Sequence, residues 1–134
     1  SRVSQTAAVL LEAQRDLYHL MAELAASPEY AARFRAIDDS RVAWLEGNTD
    51  ALGALVEMPG EFIVPGDSPA GAALALARTL VRRAERRVAE LLHNALLDNP
   101  YLLAYLNRLS SLCFVLELFE NQSAGSGTPT IAKK

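Results

Sequence analysis

The placement of the prolines constrains the fold of this 134-residue chain more than any other feature of its sequence. None of the six prolines lies inside the four segments in which apolar residues recur every three to four positions. Proline interrupts a helix but is tolerated in its first turn, and this apolar period is that of an amphipathic helix. We therefore predict an all-α fold without strands, an antiparallel four- to five-helix bundle of the ferritin-like, up-down type.

Polar residues that can cap a helix indicate where the segments begin. The predicted helices cover about 6–26, 40–57, 69–97 and 100–121, and residues 28–37 are irregular or form one short helical turn. The expected caps of the second and third helices are the cluster Asp38 to Ser40 and Ser68 followed by Pro69, and Asn99-Pro100 restarts the chain as the fourth helix.

The apolar stripe of each predicted helix indicates which residues form the core. A Gly-Asn pair at 47–48 weakens the middle of the second helix, and the stripe of the third helix resembles a heptad seam. The residues expected to face inward are Val9, Leu10, Leu17, Met21, Leu24, Val42, Leu45, Leu52, Leu55, Leu74, Val81, Ala84, Val88, Leu91, Leu103, Leu106, Leu109, Leu112 and Leu116.

The chain has the length of one domain. We assign residues 1–121 to a helical-bundle domain and 122–134, rich in Gly and Ser, to a flexible tail. The chain lacks an initiator Met and a signal peptide, and its first helix begins almost at once, so we expect a trimmed N-terminus. No apolar run reaches the roughly 18 residues of a membrane span, so we expect no membrane association.

Charge and cysteine content narrow the class of partner. With 13 basic and 16 acidic residues the net charge is −3, which argues against general nucleic-acid binding. The single cysteine excludes an internal disulfide and a Cys-based zinc cluster. The single cysteine fits a protein of the reducing cytoplasm.

Against this acidic background, five of the 13 basic residues fall within ten positions. Like charges four residues apart destabilise an isolated helix, so an anionic partner is expected. That partner is either a carboxylate of a neighbouring helix or subunit, or a bound phosphate, which guanidinium groups hold through paired hydrogen bonds. We call this segment, residues 78–87, the arginine ridge; it contains Arg78, Arg82, Arg83, Arg86 and Arg87.

Familiar catalytic groups are scarce. His19 and His93 stand alone, and a surface or capping role is favoured over a metal site. Cys113 lies in an apolar run, which favours a core position over a nucleophile. Neither a P-loop nor a GxGxxG motif occurs.

Three further residues have both a structural and a functional interpretation. Glu85 follows Arg82 by three positions, so it is placed to orient an arginine or to help hold a cation. Asn107 interrupts the apolar pattern of the fourth helix, where asparagine has poor propensity, and its default role is a buried polar residue satisfied by a neighbour. Phe62 precedes the arginine helix, and its default role is to fill the core.

Three segments occur in one order: FIVPGDSP at 62–69, ARTLVRRAERR at 77–87 and YLNRLS at 105–110. Together they resemble the PduO-type ATP:cob(I)alamin adenosyltransferases. Two earlier segments, QRDLY at 14–18 and AELA at 22–25, are similar to the second helix of that family. The resemblance covers about residues 8–120.

The resemblance implies an enzyme that transfers the 5′-deoxyadenosyl group of ATP to cob(I)alamin, yielding adenosylcobalamin and triphosphate. Members of the family are homotrimers of helix bundles that bind ATP between subunits and use Mg²⁺. A corrinoid reductase or a B12-dependent mutase is the implied protein partner.

The resemblance also implies roles for five residues of this chain. Arg82 matches an arginine that contacts the triphosphate, and Arg78 matches one that forms an ion pair across the subunit boundary. Asn107 matches an ATP-contacting asparagine, and Glu85 a functionally sensitive glutamate. Phe62 matches the aromatic residue that packs against the lower face of the corrin and keeps the nitrogenous base off cobalt.

The chain also departs from the family pattern. The Thr- and Gly-rich phosphate loop that opens the family, and the helix carrying Asp-Glu-Leu-Asn after it, do not occur in these 134 residues. Ser111 replaces the usual Asp, Asp67 replaces Gly, and Glu117–Leu118 stand where a basic residue is usual. Two alternatives to the enzyme follow: a non-catalytic corrinoid-binding or assembly module, and a bundle whose arginines only hold a trimer interface.

Overall fold

The computed structural model describes residues 2–125 and 128–133, and it confirms the all-α fold. Among the described residues there is no strand, only an isolated antiparallel bridge between Ile63 and Ile131. A short 3-10 helix follows the first helix at Ala31–Phe34, within the stretch expected to be irregular. The four helices are α1 (Arg2–Ala25), α2 (Asp39–Gly53), α3 (Pro69–His93) and α4 (Pro100–Ser123).

The two predicted N-caps are confirmed, and Asn99 caps α4 as well. Asp38 accepts hydrogen bonds from the backbone N of Arg41 at 3.1 Å and from Ser40 Oγ at 2.6 Å, and these bonds hold the pKa of Asp38 below its usual value. Ser68 Oγ accepts from the backbone N of Gly71 at 3.0 Å, and Asn99 Oδ1 accepts from that of Tyr101 at 3.1 Å. Each cap satisfies an amide that the helix itself leaves without a partner.

The helix ends follow the sequence less closely. α3 ends at His93, four residues before the predicted end, because Ala95 adopts a left-handed conformation with φ 57°. The backbone N of Leu96 then donates to Leu91 O at 2.9 Å, and that of Ala95 to Leu92 O at 3.1 Å. These two bonds form a Schellman motif. α2 ends at Gly53, also four residues early, and α4 continues two residues beyond its predicted end.

The fourth helix is the core of the bundle. α4 packs mainly against α3 and α2, and its buried side chains include Leu102, Leu112 and Leu116. Contrary to expectation, α4 is long and apolar enough to cross a membrane, but 67% of its most apolar window is buried inside the bundle. Its apolar surface is therefore used by the core.

The predicted core residues are mostly confirmed, with three errors. Met21, Leu55 and Ala84 are exposed. Leu55 lies beyond the end of α2, whereas Met21 and Ala84 lie one position away from the buried face of their helices. On α1 the buried face contains Leu20, the neighbour of Met21, together with the small residue Ala13 and polar residues, which a search for large apolar side chains does not select.

A buried polar cluster ties α1 to the core helix. We call it the Asp16 cluster; it consists of Asp16, Glu12, Arg41 and Tyr105. Arg41 Nη2 lies 2.8 Å from Asp16 Oδ2 and 2.9 Å from Glu12 Oε1, and the Tyr105 hydroxyl donates to Asp16 Oδ2 at 2.6 Å. The two carboxylates raise the pKa of Arg41, and burial together with the bond to Asp16 raises that of Tyr105.

Helices α3 and α4 run antiparallel in a register that places the candidate site. Gly71 lies against Asn121, Arg78 against Phe114, and Glu85 against Asn107. A Cβ on Gly71 would lie 2.9 Å from Asn121 Cγ, so a glycine is required for this close approach. Ser68 Oγ donates to Asn121 Oδ1 at 2.5 Å and fixes the same end of the pair.

Candidate active site

A groove of about 1160 Å³ lies between the α2–α3 connection, α3 and α4. Its apolar end is lined by Phe62, Ile63 and Phe114. Its basic side is lined by three members of the arginine ridge, Arg78, Arg82 and Arg86. The groove is therefore divided into an apolar part and a cationic part, and its volume suits a small-molecule site.

The ridge itself has two faces. Arg78, Arg82 and Arg86, spaced four residues apart, line the groove. Arg87 lies outside the groove lining and forms an exposed ion pair with Glu90, Nη1 to Oε2, at 3.4 Å. Within the described part of the chain, Arg86 has no ion pair, so its charge is available to a ligand or to another subunit.

Arg82 is held by a chain of polar contacts across the bundle. Its Nη1 lies 3.1 Å from Glu85 Oε1, and Asn107 Nδ2 donates to Glu85 Oε2 at 2.8 Å. Arg108 Nη1 donates to Asn107 Oδ1 at 2.6 Å, and Arg108 Nε to Glu46 Oε1 at 2.7 Å. The predicted polar neighbour of Asn107 is therefore Glu85, and together the two residues orient Arg82.

Arg78 is placed differently from Arg82. Its guanidinium carbon lies 5.2 Å from the centre of the Phe114 ring, a cation–π arrangement. No ion pair of Arg78 occurs within the described chain. The expected ion pair with another subunit stays a prediction.

Phe62 does not fill the core. Its side chain is 89% exposed at the edge of the groove, so the default structural role is wrong, while the expectation that it packs against a ligand stays open. Nothing in the local sequence distinguishes an exposed from a buried aromatic at this position.

The C-terminal segment braces the loop that carries Phe62. The backbone N of Ala132 donates to Phe62 O at 2.8 Å, and that of Val64 donates to Thr130 O at 2.8 Å. Thr130 Oγ1 also donates to Asp67 Oδ1 at 2.8 Å. Residues 122–125 and 128–133 of the predicted tail are described. Gln122 and Ser123 belong to the last turn of α4 rather than to a tail, and Thr130 and Ala132 contact this loop.

The remaining candidates are structural or exposed. His19 and His93 are exposed, as expected. Cys113 is buried, and burial raises the pKa of its thiol to about 11, so the thiol is a core group with little thiolate. No group of three or more His, Cys, Asp or Glu within residues 2–125 and 128–133 is placed to hold a metal ion.

Sequence reasoning missed part of the groove. Phe114 and Glu117 lie three residues apart on α4 and both face the groove, and Arg86 belongs to the ridge but received no role. The spacing of four residues between Arg82 and Arg86 could have indicated that Arg86 lies on the same helix face as Arg82. Glu117 stood out only as an acidic residue in an apolar helix and as a departure from the family pattern, and neither signal showed that it faces the groove.

Most of the chain matches a known protein family. A family model described as cobalamin adenosyltransferase matches residues 1–120, which include all four helices up to the last turn of α4.

Named relatives agree with this match. The corrinoid adenosyltransferase PduO of Salmonella typhimurium is 39% identical over 117 residues, which are 86% of this chain and 34% of that protein. The corrinoid adenosyltransferase of Bacillus subtilis is 35% identical over 120 residues, 90% of this chain and 61% of that protein. The cobalamin adenosyltransferase of Cupriavidus metallidurans is 41% identical over 123 residues, which are 88% of this chain and 61% of that protein. This chain thus spans 34–61% of the length of these relatives.

Solved structures share the fold. One is a variant of the PduO-type ATP:corrinoid adenosyltransferase from Lactobacillus reuteri, complexed with cobalamin and ATP. It superposes on this chain with a TM-score of 0.87 at 26% identity, and the match covers 100% of this chain and 74% of the Lactobacillus chain. Another variant of that enzyme, complexed with ATP, has a TM-score of 0.86 at 26% identity, with 99% and 74% coverage.

Proposed function

This chain belongs to the cobalamin adenosyltransferase family, and from that premise we propose that it transfers the 5′-deoxyadenosyl group of ATP to cob(I)alamin. The observation that carries the proposal is the groove itself, where three arginines form one side and an exposed phenylalanine lies at the other end. Two substrates of opposite character, a polyphosphate and a large apolar ring system, fit these two parts.

The reaction needs little acid–base chemistry from the protein. The cobalt of cob(I)alamin is the nucleophile and supplies the electron pair of the new cobalt–carbon bond. The bond between C5′ and the phosphate oxygen breaks, and triphosphate leaves with that bond's electrons. The protein therefore has to align C5′ with cobalt and to stabilise the leaving group. The exposed histidines and the inert Cys113 are consistent with that requirement.

The cationic side of the groove is assigned to the triphosphate. Arg82 is the best-oriented of the three arginines, because Glu85 and Asn107 fix its position from behind. A guanidinium held in place before the reaction stabilises developing negative charge without reorganising. Arg78 and Arg86 extend the same charge along one face of α3.

Mg²⁺ fits this site only as part of its complex with the nucleotide. The ion keeps several waters and is usually bound by phosphates plus one or two carboxylates, so a three-carboxylate cluster is not required. Glu85 is the carboxylate within the ridge segment, paired with Arg82, and it would hold the ion or one of its waters. When bound, the ion would neutralise phosphate charge.

The apolar end is assigned to the corrinoid. Phe62 is proposed to pack against the lower face of the corrin and to exclude an axial ligand from cobalt, which leaves the metal free to attack carbon. The backbone bonds from Val64 and Ala132 brace this loop and support such a wedge-like role.

We also propose a homotrimer with its sites between subunits. Leu76 and Leu80 on α3 and Tyr18 on α1 are large apolar side chains that stay exposed in the single chain, and a subunit interface would cover them. The same interface would bring another subunit's groups to Arg78 and Arg86. We further propose that the enzyme is cytoplasmic and that it works beside a corrinoid reductase or a B12-dependent mutase.

The test is an assay of the full-length protein that contains this chain. With ATP, Mg²⁺ and chemically reduced cobalamin, we expect the absorbance of cob(I)alamin to fall as adenosylcobalamin forms. Binding of cobalamin without any product would instead support the corrinoid-binding module, and absence of both binding and product would leave the arginines with an interface role.

A further inference from the structure

The strongest unused feature of the molecule is the carboxyl group of Glu117. Its side chain is 3% exposed, it lines the groove, and its Oε2 atom has no hydrogen-bond partner in the described structure. Buried polar atoms are nearly always paired, so a single unpaired one facing a groove points to a ligand group that completes it.

The helix register shows where along the groove this carboxyl lies. Arg78 faces Phe114 and Ser68 contacts Asn121, and Glu117 lies between these two levels. Glu117 is thus displaced from Arg78 toward the loop end of the groove, whereas Arg82 and Arg86 lie in the opposite direction. The carboxyl therefore belongs to the apolar end, with Phe62 and Phe114.

The chemistry of the position selects the kind of group that binds there. A phosphate is disfavoured, because it would face a carboxylate and because the three ridge arginines offer it cations at the other end, although Lys133 also lines the groove. A metal cation at this end would be repelled by Arg78, whose positive charge acts on Glu117. A free ammonium group would compete with the nearby positive charge of Arg78. What remains is a neutral N–H donor.

We propose that Glu117 is a specificity-determining residue that hydrogen-bonds a primary carboxamide on the rim of the corrinoid. This inference rests on the proposed function, because it takes the occupant of the apolar end to be a corrinoid. The corrin ring carries primary carboxamides around its edge, so a ring seated against Phe62 presents several N–H donors to the walls of the groove. Rotation about the terminal torsion of Glu117 presents either carboxyl oxygen to such a donor.

The electrostatic setting makes this partner suitable in both protonation states. Burial raises the pKa of Glu117, Arg78 opposes that rise, and Asp67 adds to it. As a carboxylate the group accepts from the amide N–H, and as a neutral acid it also donates to the amide carbonyl. A carboxamide is therefore matched throughout the pH range in which the group titrates.

The test compares binding of cob(II)alamin with that of its monocarboxylic derivatives, in each of which one carboxamide is replaced by a carboxylate. For the full-length wild-type protein we expect one derivative to bind at least tenfold more weakly than cobalamin, because two carboxylates would then face each other. Glu117→Ala should bind cobalamin more weakly and lose this discrimination. Glu117→Gln should keep cobalamin affinity within about threefold and accept that derivative better.

The matched control is Glu120→Gln, a neutralised carboxylate three residues further along α4 and outside the groove lining. It should bind every derivative as the wild type does. Glu117→Gln retains the shape of the side chain, so it decides the matter even if Glu117→Ala fails to fold.

Several outcomes would overturn the inference. Equal binding of all derivatives by the wild type, or discrimination that survives in both Glu117 variants, would remove Glu117 from the corrinoid site. A loss of affinity for ATP but not for its inosine counterpart, which lacks the adenine amine, would reassign Glu117 to the nucleotide. Turnover by a wild type that does not discriminate would sink this inference and keep the proposed function. Discrimination without turnover would keep this inference and overturn the proposed function. Absence of corrinoid binding would overturn both the inference and the proposed function.

Discussion

Arg41 and Arg78 are both stacked on aromatic rings, yet among the described residues only Arg41 forms ion pairs. Arg41 lies 4.6 Å from the centre of the Trp44 ring and also pairs with Asp16 at 2.8 Å and Glu12 at 2.9 Å. Arg78 lies 5.2 Å from Phe114 and has no carboxylate within ion-pair distance in the described residues. The Asp16 cluster is complete, whereas the groove is not.

This difference separates structure from function. A closed network holds helices together and gains little from a ligand, because its opposite charges are already paired. An open set of charges costs stability in the isolated chain and recovers it when a partner binds. Changes in the Asp16 cluster should therefore alter stability, and changes in the groove should alter binding and turnover.

The largest expected effect comes from breaking the closed network. Asp16→Ala removes the shared partner of Arg41 and Tyr105, leaving a buried hydroxyl unpaired and Arg41 with Glu12 alone. We expect the free energy of unfolding to fall by about 3 kcal/mol, as when one member of a buried ion pair is removed. Urea unfolding measures this. A loss below about 0.5 kcal/mol would show that the cluster is not structural.

Next in size is the loss of a groove arginine. Arg82→Ala should lower kcat/KM for ATP, because a charge-assisted contact to the triphosphate is lost. The corresponding loss of transition-state stabilisation should exceed about 2 kcal/mol. Its stability should change little, since Arg82 is largely exposed. Arg83→Ala is the matched control, one residue along the same helix but outside the groove lining. Similar kinetics for both variants would assign the ridge to structure.

A smaller effect is expected at the apolar end. Phe62→Ala should slow turnover roughly tenfold, equivalent to ~1.4 kcal/mol, while ATP affinity and stability stay nearly unchanged. The reason is that the 89% exposed ring contributes to ligand contact and not to the core. Single-turnover kinetics and ATP titration separate the two steps. An equal loss of ATP affinity would contradict the division of the groove into two parts.

The smallest effect concerns the unpaired carboxyl. The folded protein raises the pKa of Glu117 above its ordinary value of 4.5, so folding penalises the charged form. The wild type is therefore expected to lose stability as pH rises above that value, whereas Glu117→Gln is not. Their difference should grow from near zero at pH 4 to about 1 kcal/mol in favour of Gln at pH 7, in the range of an unsatisfied buried group. Thermal melts across this range test the sign, and a more stable wild type at pH 7 would contradict it.

Local signals were sufficient for the architecture and for most of the ridge. The caps at Asp38, Ser68 and Asn99 depend on bonds within three residues, so the sequence specifies them directly. Arg78 and Arg82 stand out by their spacing along one helix.

What the sequence did not reveal depends on contacts between distant segments. The exposure of Phe62 is set by its loop and by residues 128–133, which lie more than 60 positions away. The burial of Glu117 follows from the α3–α4 register, which is fixed at Gly71 and Asn121. The early end of α3 follows from the left-handed conformation of Ala95, a residue with no preference for it.

The buried thiol of Cys113 has a practical consequence for experiments on the loop. Cys113 is the chain's only cysteine, and with a pKa of about 11 it reacts slowly with thiol reagents at neutral pH. A second cysteine introduced at Ala132, whose amide is bonded to Phe62 O, would take up a fluorescent label almost alone. Such a dye would report in real time whether the loop shifts when each substrate arrives.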